Sequence, residues 1–251
     1  MVRLGAGFLA ALLVLFLVSC GSSEEVTVPT PEQRFESALK LYEDEDYIEA
    51  IDQFSVITLQ NQGSTVADDA QFYLGESRFA RHEYLLAAFE YQQLRRNMPA
   101  SSFIPEAQYK LALCYYNLSP KSSLDQQYTA TAIDEFQRLV DYYPSSEHAP
   151  FAEEKIRELT TRLARKEYET ARLYATMEYY RAAVIYYDSV IELYHDTEYA
   201  PEAYVGKAEA LVERNMLLEA RRTLLKFLGT FPESDLRPKA ERMLEDITER
   251  L

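Results

Sequence analysis

One helix-turn-helix spacing recurs five times along this 251-residue chain and leaves few folds open to it. The second helix of each copy reads a small residue, an aromatic or Leu four positions on, an apolar residue three further, and usually Pro five beyond that. The copies are Ala50-Phe54-Ile57, Ala87-Tyr91-Leu94-Pro99, Ala132-Phe136-Leu139-Pro144, Ala183-Tyr187-Val190-His195 and Ala220-Leu224-Phe227-Pro232. Twelve residues before the small position lies another, on the preceding helix: Ala38, Gly75, Ala171 and Ala208. In the third copy the gap is twenty, from Ala112 to Ala132. Facing small residues let two antiparallel helices approach closely, and Pro ends the second helix.

The pattern resembles the tetratricopeptide repeat without its Trp. It predicts an all-α, right-handed superhelical solenoid of five repeats with a C-terminal capping helix. The predicted helices are 30–45, 46–59, 66–82, 84–97, 105–117, 149–175, 179–194, 200–214 and 217–228, with 238–251 as the polar-faced cap that an open solenoid end requires. Residues 118–127, containing Ser119, Pro120, Lys121, Ser122 and Ser123, form a connection about eight residues longer than its counterparts. Long loops in tight repeats are often functional. Residues 149–175 are nearly twice a repeat helix, so either two helices are fused there or a short break lies near Arg165. This divides the chain into repeats 1–3 (31–148) and a half (149–251) holding the long linking helix, repeats 4–5 and the cap.

The first residues follow another logic. Arg3 precedes an eleven-residue apolar run, Phe8 to Val18, and then Ser19 and Cys20. A membrane-spanning helix needs about 20 apolar residues. The layout is that of a signal peptide over 1–19, and Leu17-Val18-Ser19-Cys20 resembles the bacterial lipobox, which implies lipidation of Cys20. Gly21 is not the Asp that favours inner-membrane retention, so the expected location is the periplasmic face of the outer membrane, lipid-anchored. Residues 20–30 read as a lipidated tether, with a reach of roughly 30 Å at ~3.3 Å per residue.

Composition excludes several functions. The net charge is −15, or −16 once Arg3 is removed, which opposes nucleic-acid binding by counterion release. The acidic run Glu43 to Asp46 lacks the Gly and terminal Glu of a calcium loop and reads as a solvated turn. Cys114, in an apolar helical run, reads as a small core residue with no disulfide partner. His82, His148 and His195 share no metal-ligand spacing, and no phosphate loop, nucleophile elbow or His-Glu-x-x-His is present. The expectation is a binding protein without catalytic activity, metal or cofactor.

In tetratricopeptide solenoids the first helix of each pair lines the concave face. The positions three before, one after and four after its small residue point inward. They hold Phe35, Leu39 and Tyr42 in the first repeat, Phe72, Glu76 and Phe79 in the second, and Tyr109, Leu113 and Tyr116 in the third. Six of these nine are aromatic. Repeats 4 and 5 place Tyr168, Arg172, Ala175, Val205, Glu209 and Val212 there, with one aromatic among six. The nine N-terminal residues are therefore the candidate peptide-binding set, with Glu76 as a polar discriminator. The groove lacks the Lys and Arg clamp used for acidic C-terminal peptides, so its expected ligand is an apolar, aromatic, extended segment.

The mature chain from Pro31 to about Leu251 resembles the BamD family, the lipoproteins of the β-barrel assembly machinery of Gram-negative bacteria. The most specific stretch runs from Leu118 through Lys166. It includes the long Ser-Pro-Lys-Ser-Ser-Leu-Asp-Gln loop, Ala132-Ile133-Asp134-Glu135-Phe136, Tyr143-Pro144-Ser145-Ser146-Glu147 and the helix after Phe151. The resemblance implies that the C-terminal half holds the periplasmic domains of a BamA-like barrel protein. It implies that the N-terminal half receives C-terminal signals of unfolded outer-membrane proteins, and that other assembly lipoproteins are partners. The alternatives are a periplasmic scaffold of the Tol-Pal or cell-envelope type, a nutrient-capturing lipoprotein, for which this chain is short, and a peptidoglycan-cleaving enzyme, for which no residues remain to build a catalytic domain. His195 departs from the Pro usual at its position, which puts the geometry of that turn in question.

Overall fold

The computed structural model describes residues 28–251. The apolar run and Cys20 lie outside them. Eleven helices follow in order: α1 (Pro31–Glu43), α2 (Tyr47–Gln60), α3 (Ala67–Ala80), α4 (Tyr84–Asn97), α5 (Ile104–Leu118), α6 (Gln127–Tyr142), α7 (Ala149–Thr176), α8 (Tyr180–Leu193), α9 (Tyr199–Glu213), α10 (Leu217–Thr230) and α11 (Arg237–Glu249). No strand occurs among the described residues. Each helix packs chiefly on its neighbours in sequence, the one-dimensional arrangement of a repeat solenoid. The pairs α1/α2, α3/α4, α5/α6, the second half of α7 with α8, and α9/α10 are the five repeats, and α11 is the cap.

The recurring residues do what their spacing requires. Ala38, Ala50, Gly75, Ala87, Ala112, Ala132, Ala171, Ala183, Ala208 and Ala220 are all buried, as are Phe54, Tyr91, Phe136, Tyr187 and Leu224. Gly75 is there for a reason Ala cannot meet. A Cβ would lie 2.6 Å from Cε1 of the buried Tyr91 ring, and one at Gly206 would lie 2.5 Å from Cζ of Tyr187. Where the second helix carries Tyr instead of Phe, a missing Cβ makes room for the phenol.

Turns within repeats share one device. Glu45, His82, Glu178 and Asn215 take φ of 65°, 60°, 61° and 59°. In the first, the Glu45 N–H bonds to the Tyr42 carbonyl and the Asp46 N–H to the Leu41 carbonyl, at 3.1 and 2.8 Å. The same pair of bonds closes the other three. This left-handed helix end satisfies carbonyls that would otherwise lack donors, and it is what the Glu43 to Asp46 run encodes.

Turns between repeats share another. The residue ending the second helix has φ/ψ of −131/55° at Met98 and −132/54° at Tyr143, both before Pro and both outside the α region that a following proline disfavours. Tyr194, before His195, adopts −131/36°. The Thr197 N–H also bonds to the Tyr194 carbonyl, as the Ser146 N–H does to that of Tyr143. His195 therefore leaves the turn geometry unchanged.

The third repeat differs. Of its eight extra residues, five lengthen the α5–α6 connection, two extend the start of α6 and one the end of α5. The connection is tied to α7. Arg162 on α7 donates to the Ser119 hydroxyl at 2.7 Å and Lys166 to the Leu124 carbonyl at 2.6 Å. Gln126 donates back to the Lys121 and Leu124 carbonyls at 2.9 and 3.1 Å. The loop is a brace on α7, and α7 itself runs 28 residues without a break at Arg165.

Apolar packing falls into four clusters. Three small ones follow one another through α1 to the first half of α7, ending at Leu159. A single larger one starts at Ala171 and runs through α8, α9, α10 and α11 to Ile247.

Candidate functional site

Helices α1, α3 and α5, the first of each pair, carry the aromatic set. Phe35 is half-buried, its ring 5.8 Å from that of Phe54 and 6.0 Å from that of Tyr73. Tyr42 meets Tyr47 and Tyr73 edge-on at 5.7 and 5.4 Å. Burial, and then the Glu76 charge, push the Tyr42 phenol up to about 12, so it remains a hydrogen-bond donor at neutral pH. Phe79 packs on Tyr84 at 5.3 Å and lies 5.6 Å beneath the Lys110 ammonium. Tyr116 sits under Lys155 at 4.4 Å, and its hydroxyl donates to Glu158 at 2.9 Å. Leu39 and Leu113 are half-buried, Leu113 against the third apolar cluster.

Two members of the set depart from the sequence expectation. Phe72 is only 7% exposed and stacks on Phe103 at 4.5 Å with Tyr91 behind it. It belongs to the core, because the α4–α5 connection lays Phe103 over it. Glu76 is not a free carboxylate awaiting a ligand. The Tyr91 hydroxyl donates to its Oε1 at 2.5 Å and Lys110 to its Oε2 at 2.7 Å. Burial and the Glu76 charge together raise the Tyr91 phenol far above its ordinary value. Cys114, wholly buried, is pushed up to about 12 by burial first and Glu76 second, and stays an inert thiol.

Sequence reading missed one group. Tyr109 stacks face to face on His148 at 4.2 Å and 2°. The His148 Nε2 lies 2.5 Å from Glu106 Oε2 and 3.9 Å from Glu147 Oε1. Glu106 and His148 are 42 residues apart, so no local spacing announces them. Two surface clefts were also unforeseen. One, of about 670 Å³, lies between the braced loop (Ser119 to Ser123), Arg162 and Arg165 of α7, and Tyr199. The other, of about 520 Å³, is mostly apolar and is formed by Tyr174, Tyr179, Tyr180, Ala182 and Ile185 at the α7–α8 turn.

Five antiparallel hairpins with buried small-residue contacts and a cap after the fifth define a tetratricopeptide-repeat protein. The model of the YfiO family, described as an outer membrane lipoprotein, matches residues 29–223, and the chain belongs to that family. An outer membrane protein assembly factor BamD of Rickettsia prowazekii is 26% identical over 243 residues, covering 95% of this chain and 96% of that one. One of Caulobacter vibrioides is 27% identical over 198 residues, covering 79% of this chain and 65% of its own length. These relatives bear out the BamD resemblance read from the residues. Among solved structures, the TPR2AB domain of yeast Sti1 in its pHSP90 complex is 16% identical, covering 88% of this chain and 83% of that one at a TM-score of 0.42. No described helix is long and apolar enough to cross a membrane.

Proposed function

We propose that the protein is an outer-membrane protein assembly factor of the BamD type, anchored through lipid on Cys20 at the periplasmic face of the outer membrane. The observation that carries this reading is family membership over 29–223, together with a relative bearing that name that aligns along 95% of the chain. In this reading the C-terminal half (149–251) holds the periplasmic domains of a BamA-like barrel protein. The apolar cleft at Tyr179, Tyr180 and Ile185 gives that half a surface suited to a protein partner.

The N-terminal repeats (31–148) receive extended C-terminal segments of unfolded outer-membrane proteins. Phe35, Leu39, Tyr42, Phe79, Tyr109, Leu113 and Tyr116 support this role, because each is only half-buried. Phe72 acts from behind, supporting Tyr91. Glu76 acts as the centre of a charged pair with Lys110.

Two experiments test the reading. Solubilised outer membranes should yield the native chain together with a large barrel protein bearing several periplasmic domains. Recovery of a Tol-Pal component instead overturns the assignment. Phe79→Ala with Tyr116→Ala should weaken binding of an aromatic-terminated peptide at least tenfold, since truncating an aromatic hot spot costs ~2 kcal/mol or more. Normal peptide affinity in the folded double variant sinks the groove, whatever happens to its melting temperature.

A further inference from the structure

The group at the joint between the third repeat and the linking helix has the makings of a metal site. Glu106 lies in the first turn of α5, His148 is the N-cap residue of α7, and Glu147 precedes it in the α6–α7 turn. One ligand atom from each lies within 4.8 Å of the other two. The first turn of α5 and the turn leading into α7 thus bring three donors together.

Three features set this group apart from the acidic residues scattered over the surface. The imidazole is fixed in orientation, because the Tyr109 ring lies parallel to it at 4.2 Å. The His148 backbone N–H is held by the Ser146 hydroxyl at 3.3 Å. Among the described residues, neither Glu106 nor Glu147 has a Lys or Arg within ion-pair distance, and His148 is the sole basic partner of both. The more deeply buried carboxylates Glu76, Glu90 and Glu135 each have a Lys or Arg. Two carboxylates converging on one imidazole leave a local excess of negative charge that a cation would neutralise.

We propose that Glu106, Glu147 and His148 bind a divalent transition-metal ion of the zinc type, with water completing the coordination. Nitrogen and carboxylate oxygen are suitable donors, and bonds of about 2.0–2.1 Å in a tetrahedral site put neighbouring donors about 3.3 Å apart. The observed separations of 2.5 and 3.9 Å bracket that value. The ion would tie the start of α5 to the start of α7, across the joint where the two halves of the chain meet.

The test uses the untagged mature chain, stripped of metal and titrated with zinc by calorimetry and with cobalt by visible absorption. One ion per chain should bind, with the ligand-field band of four-coordinate cobalt. Glu106→Gln, Glu147→Gln and His148→Gln should each weaken binding at least tenfold, while His82→Gln with His195→Gln should leave it unchanged. Glu147 is 88% exposed, so the loss in Glu147→Gln cannot come from misfolding. Absence of saturable binding, or binding that Glu147→Gln and His148→Gln leave intact, overturns the site. The outcome is independent of the assembly role, which co-purification tests separately.

Discussion

The first three repeats and the last two solve the same packing problem by different chemistry. Four residues before the small position of the first helix, and three after that of the second, the N-terminal repeats carry polar pairs. Arg34 donates to Gln53 at 2.5 Å in the first. Gln71 donates to Glu90 at 2.9 Å in the second, and Gln108 to Glu135 at 2.9 Å in the third. Both amides also reach the backbone carbonyl of their Glu, and Arg78 and Arg95 complete the carboxylates at 3.1 and 2.9 Å. The equivalent positions in repeats 4 and 5 hold Glu167 with Tyr186, and Tyr204 with Thr223. There Tyr186 stacks on Tyr174 at 5.3 Å, and Tyr204 packs on Phe227 and Phe231 at 6.3 and 5.8 Å.

The difference separates register from cohesion. A buried amide satisfied by one particular partner fixes how two helices slide against each other, because any shift leaves polar atoms unpaired. Apolar rings tolerate sliding but merge with their neighbours. The N-terminal hairpins are accordingly specified one by one over three small clusters, whereas repeats 4, 5 and the cap share a single core.

The largest expected effect breaks that shared core. Phe227→Ala should cost about 3–5 kcal/mol, and hydrogen exchange should rise together across α8 to α11 while α1 to α6 keep their protection. Faster exchange confined to α10 would show that the C-terminal half is no more cohesive than the rest. A smaller effect probes the polar pairs. Glu90→Ala removes the carboxylate that Gln71 and Arg78 share, leaving Gln71 only the residue-90 carbonyl and Arg78 only Glu83, and should destabilise by about 1.5–3 kcal/mol in denaturant unfolding. Thr223→Ala, at the matching position of repeat 5, loses only a hydroxyl bond to the Glu219 carbonyl of its own helix. It should cost under about 1 kcal/mol. Equal losses at the two positions would erase the contrast between halves. The smallest effect has the opposite sign. Tyr194 already has the backbone of a pre-proline residue, so His195→Pro should stabilise by about 0.4–1 kcal/mol, read as a higher melting temperature. A fall instead would mean that the His195 side chain or N–H supports the turn.

The sequence by itself determined the five hairpins, their order and the cap, because each rests on spacing within about forty residues, whereas the structure decided that α7 runs unbroken past Arg165. Ala38 facing Ala50, or Ala208 facing Ala220, follows from helical period alone, and the pre-proline stops follow from sterics. The polar pairs recur at fixed offsets from the small residues, but that these side chains bond to one another emerges only from the structure. Tertiary structure decided the rest. Periodicity reports which face of a helix a ring occupies but not how deeply a neighbouring connection covers it, so Phe72 under Phe103 and the half-buried Tyr42 looked alike. Nothing local showed that Arg162 and Lys166 would pin the long loop to α7. Nor did it show that Lys110 would occupy Glu76, or that Glu106 would meet His148 from 42 residues away. Those contacts depend on where successive hairpins stack, and stacking is set by whole helix faces instead of by any one spacing.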